Sequence, residues 1–351
     1  MSFINLIGTF LITALSLFAL KPMANRVGLI DIPGGRKQHK APTPLIGGLG
    51  IYAGTLFMCL LTPSLLLEYA GLLATSALVL FVGIFDDARE LRVSVRISLH
   101  AFAAWLMAAL AGTQLHTLGN LTGFGVIELG VLAIPLTIFA TVGVINAVNM
   151  VDGVDGLSGG LVLITLACLG IVALDAGHLP MVEFITLLAC ALLAFLVMNF
   201  RAPWKQSALI YLGDAGSTML GFMLTWLILE ATQGEEAFLA PVYALWFLAI
   251  PLIDTVSLLI KRPLRGQSPF SAGHDHLHHR LLRAGFTVER TVLGLYMASS
   301  AFGVIGLVAH FNNVSEALMF GVFLAIFAIY MVWGTLADAR ALRTTDTKLH
   351  L

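Results

Sequence analysis

Charge is scarce in this 351-residue chain. Asp, Glu, Lys and Arg make up only 11% of it, against 58% hydrophobic residues. At a mean hydropathy of +0.93, so little charge cannot cover a soluble surface, which excludes a soluble globular class. Cysteine is rarer still. Cys59, Cys168 and Cys190 all lie in apolar runs, and three buried thiols exclude a disulfide framework and a thiolate metal centre. There is no internal repeat, no low-complexity tract and no H-E-x-x-H motif. No basic residue precedes the first apolar run (Lys21 is the first), so that run is expected to stay as a span rather than serve as a cleaved leader.

What is present is a series of long apolar runs. A membrane span takes about 20 mainly apolar residues. By that measure about eleven spans are expected, at roughly 2–20, 45–66, 68–85, 97–115, 127–145, 160–176, 181–198, 208–229, 238–260, 291–310 and 315–336. The fold class is therefore all-α polytopic, a single membrane-embedded domain over 1–351 with one longer polar loop at 261–290. All 19 Lys and Arg fall in alternate loops, and the other loops carry only acids, such as Glu68, Glu128, Glu230 and Glu316. The positive-inside rule then puts the N-terminus outside and the C-terminus in the cytoplasm. Topology accounts for the basic loops, and no nucleic-acid partner is needed.

Polar side chains gather in islands between the runs. The densest is Asn146-Ala-Val-Asn149-Met-Val-Asp152-Gly-Val-Asp155-Gly-Leu157. Two amides and two carboxylates on a glycine-bearing loop suit a hard cation such as Mg2+, and Asn146 and Asn149 share a helix face. Asp86 and Asp87 end another run, where a cation or the nearby Arg89 and Arg92 would offset their charge. Gly213-Asp214-Ala-Gly216-Ser217 opens a third, a helix start able to receive phosphate, with Asp214 free to hold a bridging metal. Arg36, Lys37 and His39 follow a Pro-Gly-Gly turn and read either as a membrane-side anchor or as a phosphate clamp. Ser158-Gly159-Gly160 allows close helix packing, and Trp204 reads as an interfacial anchor. Asp254 stands alone well inside a run, a functional signal unless it pairs with a neighbouring helix. His274, His276, His278 and His279 could suggest zinc. The surrounding carboxylates and amides favour Mg2+ instead, leaving His276, His278 and His279 as phosphate-binding or structural donors. His100 reads as a packed histidine.

Five of these blocks occur together and in one order: Gly28 to His39, Asp86-Asp87, Asn146 to Leu157, Gly213 to Ser217, and His276 to His279. In that combination the chain resembles the polyprenyl-phosphate N-acetylhexosamine-1-phosphate transferases over nearly its whole length. Glu230-Ala-Thr-Gln-Gly234, Pro251-Leu-Ile-Asp254 and Arg283-Ala-Gly-Phe286 are most similar to the bacterial branch that acts on undecaprenyl phosphate.

The resemblance implies an enzyme of the bacterial inner (cytoplasmic) membrane, with its active site at the cytoplasmic face and Mg2+ or Mn2+ as cofactor. Undecaprenyl phosphate would attack UDP-N-acetylglucosamine, releasing UMP and leaving a lipid-linked precursor of O-antigen-type polysaccharide. A different UDP-N-acetylhexosamine, such as a 6-deoxy sugar, stays open as donor, as does a route through a phosphorylated aspartate. The implied ligands of the metal are Asn149 and Asp214, with support from Asp86. Asp86 or Asp87 would position or deprotonate the acceptor, Asp152 would shape the site, and Asp155 would lie near the nucleotide. Arg36, Lys37, His39, Asn146, His276, His278, His279 and Arg280 would hold substrate. The implied partners are the UDP-sugar, the lipid phosphate and the bilayer, with a homodimer open. An ion-coupled transporter is the competing class, and it would need acids near the midplane.

Overall fold

The computed structural model describes residues 3–32, 42–201, 205, 207–268, 273 and 275–349. Arg36, Lys37, His39, Trp204 and His274 lie outside the described residues. Apolar composition leaves the backbone no water to bond to, so hydrogen bonds close within helices. The order is α1 (Phe3–Val27), α2 (Gly47–Leu61), α3 (Pro63–Glu68), α4 (Ala70–Arg89) and α5 (Val93–Ala111), then α6 (Ala133–Met150), α7 (Leu157–Asp175), α8 (Leu179–Asn199) and α9 (Gly213–Thr232). The chain continues with α10 (Pro241–Phe247), α11 (Ala249–Leu264), α12 (Leu277–Arg283), α13 (Val288–Phe311) and α14 (Glu316–Leu349). Two short strands, β1 (Ile30–Asp31) and β2 (Thr43–Pro44), pair antiparallel.

The protein is all-α and polytopic. Among the described residues, nine helices are long and apolar enough to cross a membrane, or ten if α10 and α11 count as one bent span. Two of the eleven expected runs therefore differ from simple spans, each for a proline. The run at 45–66 yields only the 15-residue α2, because Pro63 has no N–H to give the carbonyl of Cys59, which accepts from Thr62 instead. The run at 238–260 bends by 89° between α10 and α11. Pro251 cannot donate to the carbonyl of Phe247, and that oxygen takes the Thr165 hydroxyl at 2.9 Å.

One helix is central. α9 is buried along its length and packs against α2, α4, α6 and α7. Small residues make that possible: a methyl group on Gly48 would overlap the backbone of Gly216, and one on Gly83 would overlap that of Ala215. Backbones in contact fix the N-terminus of α9 to within a side chain's width of α2 and α4. Ser158, Gly159 and Gly160 do pack closely, Gly160 against Tyr296 of α13. The thiols are free, as expected of packing residues.

Candidate active site

The C-terminal ends of α4 and α6 and the N-terminal ends of α5 and α9 meet at one end of the bundle. Asp87, at the end of α4, accepts the backbone N–H groups of Asp214 at 2.9 Å and Ala215 at 3.1 Å. Those are two of the donors that a helix start leaves unpaired, and a carboxylate there also meets the positive end of the helix dipole. Gly213 makes the approach possible, with a φ of 76° and no Cβ to meet the Asp87 carboxylate.

Asp86 faces the other way. The chain leaves α4 through Glu90 in the left-handed region, φ 49°, and Asp86 accepts the Leu91 N–H at 2.8 Å and Arg96 Nη1 at 2.6 Å. The same Nη1 lies 3.6 Å from Asp214 Oδ2. Neither Arg89 nor Arg92, the cations expected beside the pair, bonds it among the described residues; the guanidinium of Arg89 lies over the Phe85 ring. Glu90 to Arg92 turns the chain, so the cation one turn into α5 reaches the carboxylates and the cations in the turn do not. Arg96 is thus a site residue that sequence reasoning counted only as a topology charge. Its signal was weak: it sits on a different helix from every acid it touches.

Asn149, at the end of α6, donates through Nδ2 to Asp214 Oδ1 at 2.7 Å and to Ser217 Oγ at 3.0 Å. Its Oδ1 is left to accept. Asn146 is buried and gives its amide to the Val142 carbonyl of its own helix, 2.7 Å away. The two amides therefore divide, one into the carboxylate cluster and one into the helix. Of the two carboxylates around Arg96, Asp214 is the accessible one, 38% exposed against 4% for Asp86. Asp214 is the carboxylate that a ligand can reach. Asp152 lies beyond them on the loop; burial, then the like charges of Asp214, Asp87 and Asp155, pushes its carboxyl well above the usual range.

Asp155 is set apart by its own cation, Arg201, whose Nε donates to Oδ2 at 2.6 Å, with the Ala208 N–H at 3.3 Å. Asn199 ties the same loop to the 207–212 segment, accepting from Gly156 N and donating to the Ile210 carbonyl. It too went unnoticed in the sequence. The histidine block closes over this loop: His278 sits against Gly153, where a Cβ would strike its ring. His276 stacks parallel to His278, ring centres 5.7 Å apart, and His279 lies 4.1 Å from His278. Arg280 acts as a brace, donating to the carbonyls of Asp275 and Gly334. Although Arg36, Lys37 and His39 are not described, the strands that bracket them are. Pro44 accepts from Tyr211, and Gly47 and Gly48 donate to Tyr211 and Leu212, directly before α9.

The isolated acid Asp254 is not an open ion site. Its carboxylate accepts from His276, Leu277 and Tyr330, as the pairing alternative requires. His100 is buried, and neither ring nitrogen has a hydrogen-bond partner among the described residues.

Among the described residues, no three His, Cys, Asp or Glu side chains converge to enclose a metal on their own. One accessible carboxylate, that of Asp214, and the Asn149 amide oxygen match instead the habit of Mg2+, which takes one or two protein carboxylates and completes its shell with water and phosphate.

Carboxylates, an amide and a guanidinium gathered at one helix start of a polytopic bundle are the equipment that a membrane-embedded phosphotransferase would need. The family described as Glycosyl transferase family 4 matches residues 69–232. The chain is 35% identical over 327 residues to the undecaprenyl-phosphate alpha-N-acetylglucosaminyl 1-phosphate transferase of Escherichia coli strain K12, covering 93% of this chain and 89% of that protein. It is 37% identical over 324 residues to the protein of the same name from Haemophilus influenzae, covering 92% and 91%. The protein of that name from Yersinia pestis is 34% identical over 327 residues, with shares of 93% and 89%. This chain belongs to that family of polytopic membrane enzymes.

Proposed function

We propose that the chain transfers N-acetylglucosamine 1-phosphate from UDP-N-acetylglucosamine to undecaprenyl phosphate, releasing UMP at the cytoplasmic face. The observation that carries this reading is the Asp214 centre: an accessible carboxylate at a helix start, beside an amide oxygen and a guanidinium. Phosphoryl transfer needs chiefly neutralisation and alignment of two anionic partners. The names and coverage of the relatives support the transferred group and the acceptor, and the alternation of basic loops supports the face. The lipid-linked product would serve as an O-antigen-type precursor.

Asp214 and Asn149 Oδ1 would hold Mg2+ or Mn2+, which when bound supplies Lewis-acid charge neutralisation at the pyrophosphate. Arg96 keeps Asp86 and Asp214 from repelling each other and offers a fixed positive charge to phosphate oxygens. Asp87 locks the start of α9. Backbone N–H groups hold both oxygens of Asp87, and Arg96 and Leu91 hold Asp86, but each oxygen keeps a second lone pair, so either acid would still be able to take a proton. No base is required: a phosphate monoester has a second pKa of about 6, so the acceptor is already largely a dianion at neutral pH. His278 and His279 close the cluster from the α12 side. The undescribed Arg36, Lys37 and His39 would meet phosphate from the loop between β1 and β2.

The test is UMP release by purified protein given undecaprenyl phosphate and each UDP-N-acetylhexosamine in turn, in Mg2+ and in EDTA. Metal-dependent release with UDP-N-acetylglucosamine is expected. Release only with another sugar would keep the chemistry and overturn the donor, and no release from folded protein would overturn the reaction.

A further inference from the structure

Asp254 is not among the residues around Asp214, yet among the described residues it is the acid most thoroughly taken out of solvent, 1% exposed and set within α11. A carboxylate so placed is costly unless its lone pairs are filled. Three donors fill them. The imidazole of His276 reaches Oδ2 through Nδ1 at 2.8 Å, while the Leu277 N–H at 2.9 Å and the Tyr330 hydroxyl at 3.1 Å share Oδ1. Those donors come from both ends of the problem: the first residues of the histidine block, and the last membrane helix.

The consequence for His276 is chemical as well as mechanical. A carboxylate accepts, so Nδ1 carries the proton, and that fixes which nitrogen remains as the other polar edge of the ring. The ring itself is 7% exposed, stacks parallel to His278 with only 8° between planes, and His278 in turn abuts Gly153 beside Asp152. His276 and His278 thus form a parallel pair that ends against Gly153.

We propose that Asp254 is a positioning residue of the transferase: it holds His276 as the Nδ1–H form and pins the start of α12, setting the histidine block against the Asp152–Gly153 loop. The proposal rests on the transferase reading for its kinetic test, but not for its spectroscopic one. Tyr330 makes the last membrane helix part of the same clamp.

The experiment combines a double-mutant cycle with a tautomer measurement. Asp254→Asn keeps the shape and can still accept from Leu277 and Tyr330, but it loses the charged partner of Nδ1. UMP release is expected to fall about tenfold to a hundredfold in kcat/KM, the usual worth of a hydrogen bond to a charged group. In a His276→Ala background the same change is expected to add little, because both substitutions remove one interaction. Full turnover in Asp254→Asn would overturn the proposal. So would losses that multiply across the two sites, which would mean that Asp254 acts elsewhere. A purely structural role predicts lower yield and melting temperature with kcat/KM unchanged in the folded fraction, and that result also counts against it. If Asp254→Asn does not fold, the wild-type protein still decides: 15N spectra of histidine-labelled enzyme, assigned with His276→Gln, are expected to show Nδ1 protonated. A neutral ring protonated only at Nε2 would overturn the clamp. Absence of UMP release from wild type would instead refute the transferase reading, leaving the tautomer result to stand alone.

Discussion

The two ends of α9 are both rich in acid, and they could hardly be used more differently. At its start, Asp214 lies beside Asn149 and Arg96, while Asp87 accepts the free N–H groups of the first turn. At its far end, Glu230 accepts from Tyr69 at 2.9 Å and stands 3.9 Å from His178. A cavity of about 430 Å³ opens there, lined among the described residues by Glu68, Glu230, Glu235 and Glu236 with His116 and His178, and by no Lys or Arg. Electrostatics explains the division. A helix start favours anions and a helix end disfavours them, so only the Asp214 end can gather carboxylates and still welcome phosphate. Acids alone do not mark an active site; the cation and the backbone donors among them do.

The comparison can be broken most forcefully at Asp214. Asp214→Asn is expected to lower UMP release about a thousandfold, on the scale of losing one key electrostatic contact in a reaction centre. Its elution profile and melting temperature should remain close to wild type. Arg96→Gln comes next, at about a hundredfold. Arg96→Lys should recover only part of that loss, since the shorter lysine side chain does not carry its charge out to where Nη1 lies between Asp86 and Asp214. At the opposite end, Glu230→Ala is expected to change kcat/KM by no more than about threefold while costing about 1–3 kcal/mol of stability in a denaturation series, because the Tyr69 hydroxyl loses its acceptor. A larger kinetic effect there than at Asp214 would reverse the assignment of the two ends.

Packing offers a subtler probe. Gly83→Val would force α4 and α9 apart at Ala215, with an expected loss of about 1–3 kcal/mol. The test is whether activity falls further than the folded fraction does, because that contact also sets the Asp87 cap. The smallest expected effect concerns Asp152, whose carboxyl is raised by burial and by Asp214, Asp87 and Asp155. Below its unfolded value of 3.8 both states are protonated and nothing is lost. As pH rises past that value, the unfolded chain ionises first, so stability declines until the folded pKa is passed. Asp152→Asn in EDTA should therefore gain more in melting temperature at pH 8 than at pH 5. An equal gain at both would contradict the shift.

Much of this was legible in the residues. Long apolar runs gave the helices, since a chain in lipid has few other ways to satisfy its backbone. Asp214 and Asn149 each stood out as oxygen donors in glycine-bearing motifs, and the family resemblance, not the spacing, paired them in one site. The run at 238–260 read as one straight span because hydropathy does not register the missing N–H of Pro251, which bends it. Arg96 was hidden for a similar reason: its role depends on the angle at which α5 leaves the Glu90 turn, and charge alone said only which loop it was in. Asp254 was visible as an anomaly, but its partners lie 22 to 76 residues away in sequence, beyond the reach of any local pattern.

The most direct test is an anomalous-scattering map of the protein crystallised with Mn2+ and UMP. The account places the manganese peak against Asp214 and the Asn149 side-chain oxygen, with the phosphate of UMP on the side of Arg96. A peak in the Glu230 cavity, with none at Asp214, would contradict it.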